Sequence, residues 1–444
     1  MTDRSVLAIV ETGRGAYGLG PLLLAKELGF RPVLVTDDLS RYAVSDSSRA
    51  VIEDTTHEIV YADTRDSAAV CTALQGYQER GELCGVLAVI DYYVAVVAEV
   101  ARTFGLPGLA PEAAHAARNK LRTREACARA GVPAPRHAQV LSRDEAVAFA
   151  RETGFPCVVK PMTEAASIGV RLCRTAEEVA AHYDVLSAAP TDLRGLPRPA
   201  GVLVEEYLTG YEVSVEVVTT ATGPRVLGLT DKTLGPHPSF VETGETFPSQ
   251  LPAPLQEAAT AVALDALHAI GHDFGASHVE IKMTAEGPKL IEINARMGGA
   301  QVGRNIKEAT GIDLQREVIR MHTGLDPELS PVAQRASASR YLTALDGGVL
   351  SAVDGRELVG RLPGVCDLDI YVQPGDRVQR ARSNADVLGH LVVRADTPAE
   401  AARWADTALL QLTARVSTDT TSATGGAAGA TVRAGAAVRA GASR

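Results

Sequence analysis

The sequence predicts a multi-domain protein of mixed α/β and α+β class, and three observations carry that expectation. At 444 residues the chain is too long for one ordinary core, so about three domains are expected. An apolar run, Ser5–Glu11, leads through TGRGAYGLG into an amphipathic segment, Leu19–Leu28, and then into Pro32–Thr36, which makes a β-α-β unit. Near the other end, Ser339–Thr343, Gly364–Val372 and His390–Arg394 read as strands and Pro398–Leu412 as a helix, the pattern of a compact α+β lobe.

Composition narrows the class further. The formal net charge of −10 argues against a nucleic-acid or anionic-membrane surface, while leaving room for a local basic pocket. Cys71, Cys84, Cys127, Cys157, Cys173 and Cys366 show neither Cys-x-x-Cys pairs nor metal-ligand spacing, so they read as reduced thiols. The apolar start is short and ends at Glu11, and Gly85–Val100 is broken by Asp91 and Glu99. Neither suits a signal peptide or a membrane span, and a cytoplasmic protein is expected.

In chain order, Gly13, Gly15 and Gly18 match G-x-G-x-x-G. That spacing suits either a dinucleotide site or a Gly-rich turn in a Rossmann-like domain that holds none. With strands at Glu58–Tyr61 and Gly85–Ile90, residues 1–111 form this N-terminal domain. ARNKLRTREACARAGVPAPR reads as one basic helix ending at Gly131, then a proline-marked linker. Phe155–Lys160 is a strand closed by a lysine, and EAASIGV after it is small enough to move over phosphates. Lys120 and Lys160 read as phosphate ligands or as ordinary surface lysines. Val202–Glu206 and the alternating YEVSVEVV form a strand-turn-strand that offers backbone groups to an adenine edge, with Glu212 for ribose, or a plain hairpin. Asp231–Ser249 reads as a long loop carrying Lys232, His237, Glu242 and Glu245. A helix is expected over about Ala253–Ile270 and another from Gly311 to His322. Boundaries follow at 112–325 for a central domain of two subdomains, 326–415 for the C-terminal lobe and 416–444 for a disordered tail with almost no large apolar residues.

The most informative stretch is GASHVEIKMTAEGPKLIEINARMGG, Gly275–Gly299. Two strands, Ser277–Met283 and Lys289–Asn294, flank a turn. Centring the hairpin on Glu286 sets Glu280 opposite Glu292 and His278 opposite Asn294, all on one face. Two facing carboxylates repel unless a cation lies between them. With the Asn294 amide and Arg296 nearby, they make a hard-oxygen site for Mg²⁺ carrying phosphate. A solvated acidic face is the plainer alternative.

In this order, a Lys-bearing helix, Lys160 closing a strand, a small-residue loop, EEYLTGYEVSVE and E-x₁₁-E-x-N-x-R resemble the ATP-grasp superfamily. Within it the chain is similar to the L-amino acid ligases, stand-alone carboxylate–amine ligases that make dipeptides. The resemblance covers about residues 5–412, including DGGVLSAVDG and SNADVLGHLVVRADTPAEAA in the last lobe. It implies an ATP-grasp fold and a ligase that joins two amino acids through an acyl phosphate, with ATP and two Mg²⁺ ions, Mn²⁺ serving as a substitute. Lys120 and Lys160 would hold phosphates, Ser167 and Gly169 would belong to the lid, and Glu205, Glu206, Tyr207 and Leu208 would be the adenine hinge. Glu212 would take ribose, and Glu280, Glu292 and Asn294 the metal. Arg296 would be catalytic, with Lys232 as a second candidate. Glu242 would grip the donor ammonium, with His237, Gly298 and Gly299 also on the substrate side. The resemblance also implies amino-acid substrates as partners, allows a homodimer and suits a specialised-metabolite pathway.

Two features depart from the family pattern. The lid is poorer in glycine and serine than usual and has Glu164 beside it. Glu245 stands where a basic or neutral group would help seat a substrate carboxylate, which points away from the common α-dipeptide donors. Donor activation at an α-carboxylate or at a glutamate side chain stays open. A purine-pathway ligase or a carboxylase would use the same hairpin, although MGGAQVG after Arg296 lacks R-x-Q-V-E-H. A non-catalytic nucleotide-binding protein is the alternative of another class.

Overall fold

The computed structural model describes residues 5–13 and 15–417. The expected disordered tail lies almost wholly outside the described residues, and its expected start at 416 falls inside a strand that runs to Ser417.

The N-terminal β-α-β pattern forms as read. Strands β1 (Val6–Val10), β2 (Arg31–Thr36), β3 (Glu58–Tyr61) and β4 (Leu83–Leu87) make a parallel sheet in the order β3-β2-β1-β4. Gly13 and Gly18 are glycines because the chain crosses itself there: a Cβ on Gly18 would lie 2.2 Å from the Gly13 carbonyl carbon. Above the strand ends, the buried Glu11 carboxylate accepts hydrogen bonds from Thr36 Oγ1 (2.9 Å), the Asp37 amide (3.1 Å), Thr64 Oγ1 (2.7 Å) and the Tyr42 hydroxyl. Protein groups thus satisfy the acid at the end of β1, and the glycine spacing is accounted for by close packing.

A second, antiparallel sheet contains β5 (His137–Val140), β6 (Cys157–Lys160), β7 (Arg171–Cys173) and β8 (Val202–Glu206), ordered β5-β8-β6-β7. The single basic helix expected before it is two helices, Pro111–Arg118 and Lys120–Ala130. Asn119 separates them, its side chain accepting from the Leu121 and Arg122 amides. Lys120 therefore opens a helix.

The largest sheet draws on β9 (Tyr211–Thr220), β10 (Gly223–Leu234), β11 (Glu242–Phe247), β12 (Gly275–Thr284) and β13 (Gly287–Asn294). It continues into the last lobe with β14 (Ala336–Leu342), while β15 (Gly348–Asp354) leaves it. Next come β16 (Val365–Ile370), β17 (Arg377–Val378), β18 (Gly389–Ala395) and β19 (Thr413–Ser417). The order is β13-β12-β9-β10-β11-β14-β18-β16, with β17-β15-β19 as a small separate sheet. The lobe expected to stand alone thus extends the central sheet. The expected loop Asp231–Ser249 is mostly a β-hairpin, with residues 235–241 at its tip and 248–249 at its end outside the strands, so Lys232, Glu242 and Glu245 sit on strands. The Gly- and Pro-rich tip had disguised the pairing of its flanks.

Alternation divides the work of this sheet. Val213, Val215, Val217, Val279, Ile281 and Ile293 face a core shared with helix Ala253–Ala269. Their neighbours Glu212, Ser214, Glu216, His278 and Glu280 face the other way. Among the described residues four one-residue register shifts interrupt the sheet, at Leu227, Cys366, Ile291 and Thr243, and the last two bear on the site. Pairing shifts between Glu280/Ile281 and β13, leaving Ile291 without a partner, and between Thr233/Leu234 and β11, leaving Thr243 without one. Among the described residues no helix is long and apolar enough to cross a membrane.

Candidate active site

A cavity of about 420 Å³ lies between the polar face of the large sheet, the small antiparallel sheet and the end of β4, within the size range of small-molecule sites. The hairpin forms with Glu280 opposite Glu292 and His278 opposite Asn294. Both carboxylates and the amide line the cavity.

The hairpin carboxylates are held by lysines. Lys120 Nζ lies 3.0 Å from Glu292 and donates to the Glu164 carbonyl at 2.7 Å. Lys232 Nζ lies 2.5 Å from Glu280, 2.7 Å from Glu242 and 3.9 Å from Glu212. Burial alone would lower the Lys232 ammonium, but Glu242, Glu280 and Glu212 raise it well above its ordinary range, so it stays charged. His278, which the sequence left with packing or a supporting hydrogen bond, has the latter. Its ring bridges Glu216 at 3.0 Å and Glu280 at 3.4 Å, and against the effect of burial Glu216 lifts it to about 10. Gly298 lies outside the cavity lining and makes room for this ring: a Cβ there would stand 2.9 Å from His278 Nδ1.

The hinge strand carries a second network. Lys160 Nζ meets Glu205 at 2.6 Å, and Arg124 donates to the same carboxylate at 2.8 Å. Burial would raise Glu205, but Arg124 and Lys160 hold it down at about 2. Arg124 also donates at 2.6 Å to the carbonyl of Ile291, the unpaired residue of the β13 bulge. One arginine therefore ties Lys120's helix to the hinge and the hairpin. The basic pattern of that helix gave no sign of this role. Glu206 is shared by Arg136 (3.0 Å) and Lys289 (3.4 Å), and Glu212 accepts from Lys282 at 2.9 Å. Tyr207 and Leu208 complete the hinge side of the cavity.

Arg296 donates at 2.6 Å to Asp91, which opens a 3₁₀ turn (Asp91–Tyr93) a few residues after β4 and which the sequence had noted only as an interruption in an apolar run. Burial would raise Asp91, and Arg296 keeps it lowered. Ser167, Gly299 and Glu242 also line the cavity, but Gly169 and His237 do not; they line a neighbouring groove. His237 instead buttresses the hinge, its Nε2 2.9 Å from the Tyr207 hydroxyl. Glu164 is among the residues lining the cavity, and its buried carboxylate is engaged by Arg198, the Tyr92 hydroxyl (2.7 Å) and the Leu193 amide (3.2 Å). Its charge is matched where it stands.

Asn384, from the last lobe, was not anticipated. Its amide donates to the Ala166 carbonyl of the lid at 3.1 Å, and its Oδ1 accepts from the Glu242 amide at 2.8 Å. Among the described residues no three His, Cys, Asp or Glu side chains are grouped to hold a metal by themselves. Two carboxylates and an amide beside buried lysines still fit Mg²⁺, which keeps water and phosphate oxygens among its ligands.

The fold and this site define the class: the chain belongs to the ATP-grasp family. Residues 153–304 match the ATP-grasp domain, residues 24–108 the ATP-grasp N-terminal domain, and residues 340–417 the L-amino acid ligase C-terminal domain 2. The chain is 30% identical over 398 residues to the uncharacterized protein y4rH of Sinorhizobium fredii (strain NBRC 101917 / NGR234), covering 90% of this chain and 80% of that one. It is 31% identical over 358 residues to carnosine synthase 1 of Gallus gallus, covering 76% of this chain but only 38% of that protein. The structure of an L-amino acid ligase from Bacillus licheniformis superposes with a TM-score of 0.78 at 20% identity, covering 94% of this chain and 100% of the other.

Proposed function

We propose that the protein is an ATP-dependent carboxylate–amine ligase that joins two amino acids and releases ADP and phosphate. The observation that carries this reading is the pairing of Glu280 with Glu292, beside Asn294, on the wall of a cavity that also holds Lys120, Lys160 and Arg296. A carboxylate resists attack by an amine because oxide is a poor leaving group. Transfer of the γ-phosphoryl of ATP to the carboxylate gives an acyl phosphate and ADP, and attack by the amine then expels phosphate. Lys120 and Lys160 hold the phosphate chain, Tyr207 and Leu208 present the hinge to adenine, and Glu212 reaches the ribose. Glu280, Glu292 and Asn294 would hold Mg²⁺, which when bound neutralises charge on the transferring phosphoryl group. Arg296, oriented by Asp91, faces the same charge, and one such group is worth several kcal/mol. Glu242 takes the donor ammonium, with Gly299 nearby. The loop carrying Ser167 shields the acyl phosphate from water. In this reading residues 1–111 shape the substrate side, 112–325 hold nucleotide and 326–415 close the cleft.

ADP release with pooled amino acids, ATP and Mg²⁺, followed by mass spectrometry of products, tests the proposal. Peptide-type products with stoichiometric ADP are expected, and Glu292→Ala abolishes ADP formation while the protein stays folded. Near-normal turnover in that variant removes the metal assignment. Bicarbonate-dependent turnover identifies a carboxylase, and no ADP with any mixture identifies a binding protein.

A further inference from the structure

Across the large sheet the register sets side chains in a row: Ser339, Glu245, Lys232, Glu212 and Lys282 stand opposite one another on β14, β11, β10, β9 and β12. Glu212 has Lys282, Glu280 has Lys232, and Glu216 has His278. Glu245 is the acid in that row that the mechanism above leaves without a task. It is 1% exposed and lines the cavity. Its Oε2 accepts from the Tyr341 hydroxyl (2.9 Å), Ser339 Oγ (3.0 Å) and Asn305 Nδ2 (3.4 Å), which fixes the carboxyl plane. Its Oε1 is buried and, among the described residues, has no hydrogen-bond partner.

Leaving a buried acceptor unpaired costs on the order of 1–3 kcal/mol, more if it is charged, and a ligand donor would offset that cost. Lys232 is already engaged by Glu242 and Glu280. Burial and Glu242 raise the Glu245 carboxyl to about 7, so an arriving cation would complete its ionisation near neutral pH. Position then restricts the ligand. The Glu245 carboxyl is held by Tyr341 and Ser339 of β14, on the side of β11 away from β12 and Glu280, and the backbones of β11 and β12 are themselves three strand spacings, roughly 14 Å, apart. A group that meets Glu245 while its carboxylate reacts near Glu280 is carried at the far end of a chain, not on the α-carbon beside that carboxylate.

We propose that Glu245 is a specificity site for a distal ammonium group, beyond the ammonium that Glu242 takes, so that the carboxyl-donating substrate is a diamino acid. This rests on the ligase reading above. A donor that ends in a carboxylate would meet two acids with one shared lysine, and is refused.

The test is isothermal titration of the full chain, with Mg²⁺ and a non-hydrolysable ATP analogue, against L-lysine, L-ornithine, L-norleucine and L-glutamate. A diamino acid is expected to bind at least tenfold tighter than norleucine, with glutamate weakest. Glu245→Gln should lose that tenfold preference while norleucine and nucleotide binding stay within twofold. If the variant does not fold, Glu245→Asp, which keeps the charge but shortens the reach, supplies the same comparison. Equal binding of lysine and norleucine by the wild type, or a preference that survives the substitution, overturns the proposal. Glu245-dependent lysine binding without ADP release would instead remove the ligase reading and leave this site standing. ADP release on other amino acids with no diamino-acid binding would do the reverse.

Discussion

Arg124 and Glu205 are both almost fully buried, and with Lys160 they form a charged knot at the cavity wall. Removing one charge from such a knot leaves the others in low dielectric without compensation. Glu205→Gln is therefore expected to destabilise the fold by about 3–5 kcal/mol in urea melts. The sign of the pH dependence follows from the carboxyl's value. Folding holds Glu205 at about 2 against 4.5 for a free side chain. Its contribution is complete above about 4.5 and fades as pH falls toward 2. The wild type should lose stability more steeply than Glu205→Gln over that window, and equal slopes would count against the knot. Glu205 was legible in the sequence as part of the apolar strand Val202–Glu206. Its partner Arg124 was not, since one arginine among several in a basic helix carries no mark of what it will face.

At the scale of elements, the lid and the substrate strand are joined by a loop of the last lobe. Asn384 contributes a backbone bond to Ala166 and a side-chain bond to the start of β11. Asn384→Ala removes only the second, and loss of one such bond corresponds to about 1 kcal/mol. A rise of roughly fivefold in KM for the amino-acid donor is expected in ADP-release kinetics, with KM for ATP unchanged. Asn384→Asp, which keeps an acceptor, should lie between the two. The elements themselves were largely readable from apolar runs and alternation, down to the face shared by Glu280 and Glu292. What failed was the stretch from Asp231 to Ser249. There turn-forming residues at the tip outweighed the alternation of the flanks, although LTDKT and ETGETF pair across it. The neighbouring lobe failed for a different reason: strand pairing between distant segments leaves no trace in either strand alone.

For the molecule as a whole, the cavity is closed by a contact between residues 205 positions apart, Asp91 at the end of the N-terminal sheet and Arg296 just past the hairpin. In the mechanism proposed above, that contact makes the first domain part of the chemistry, because Arg296 takes its aim from Asp91. Asp91→Asn keeps the shape and discards the charge. A fall in kcat of about ten- to a hundredfold is expected, the range for a hydrogen bond to a charged group, with nucleotide affinity intact in equilibrium titration. An equal loss of nucleotide affinity would show that Asp91 supports binding and not the reacting centre.

The bulges at Ile291 and Thr243 set the phase of the strands that carry the cavity's acids. In an unbroken β13, Glu292 would fall in step with Val279 and point with it into the core, as would Asn294. In an unbroken β11, Glu242 would turn to the opposite face from Glu245. Each extra residue advances its strand by half a period. A relative that kept Ile291 but paired it in step with Glu280 could thus keep every acid of the motif, score as intact by identity, and have Glu292 facing oil, whereas one that lost Ile291 would keep Glu292 opposite Glu280. For this family, spacing within the strand is as much a part of the active site as the residues that the spacing delivers.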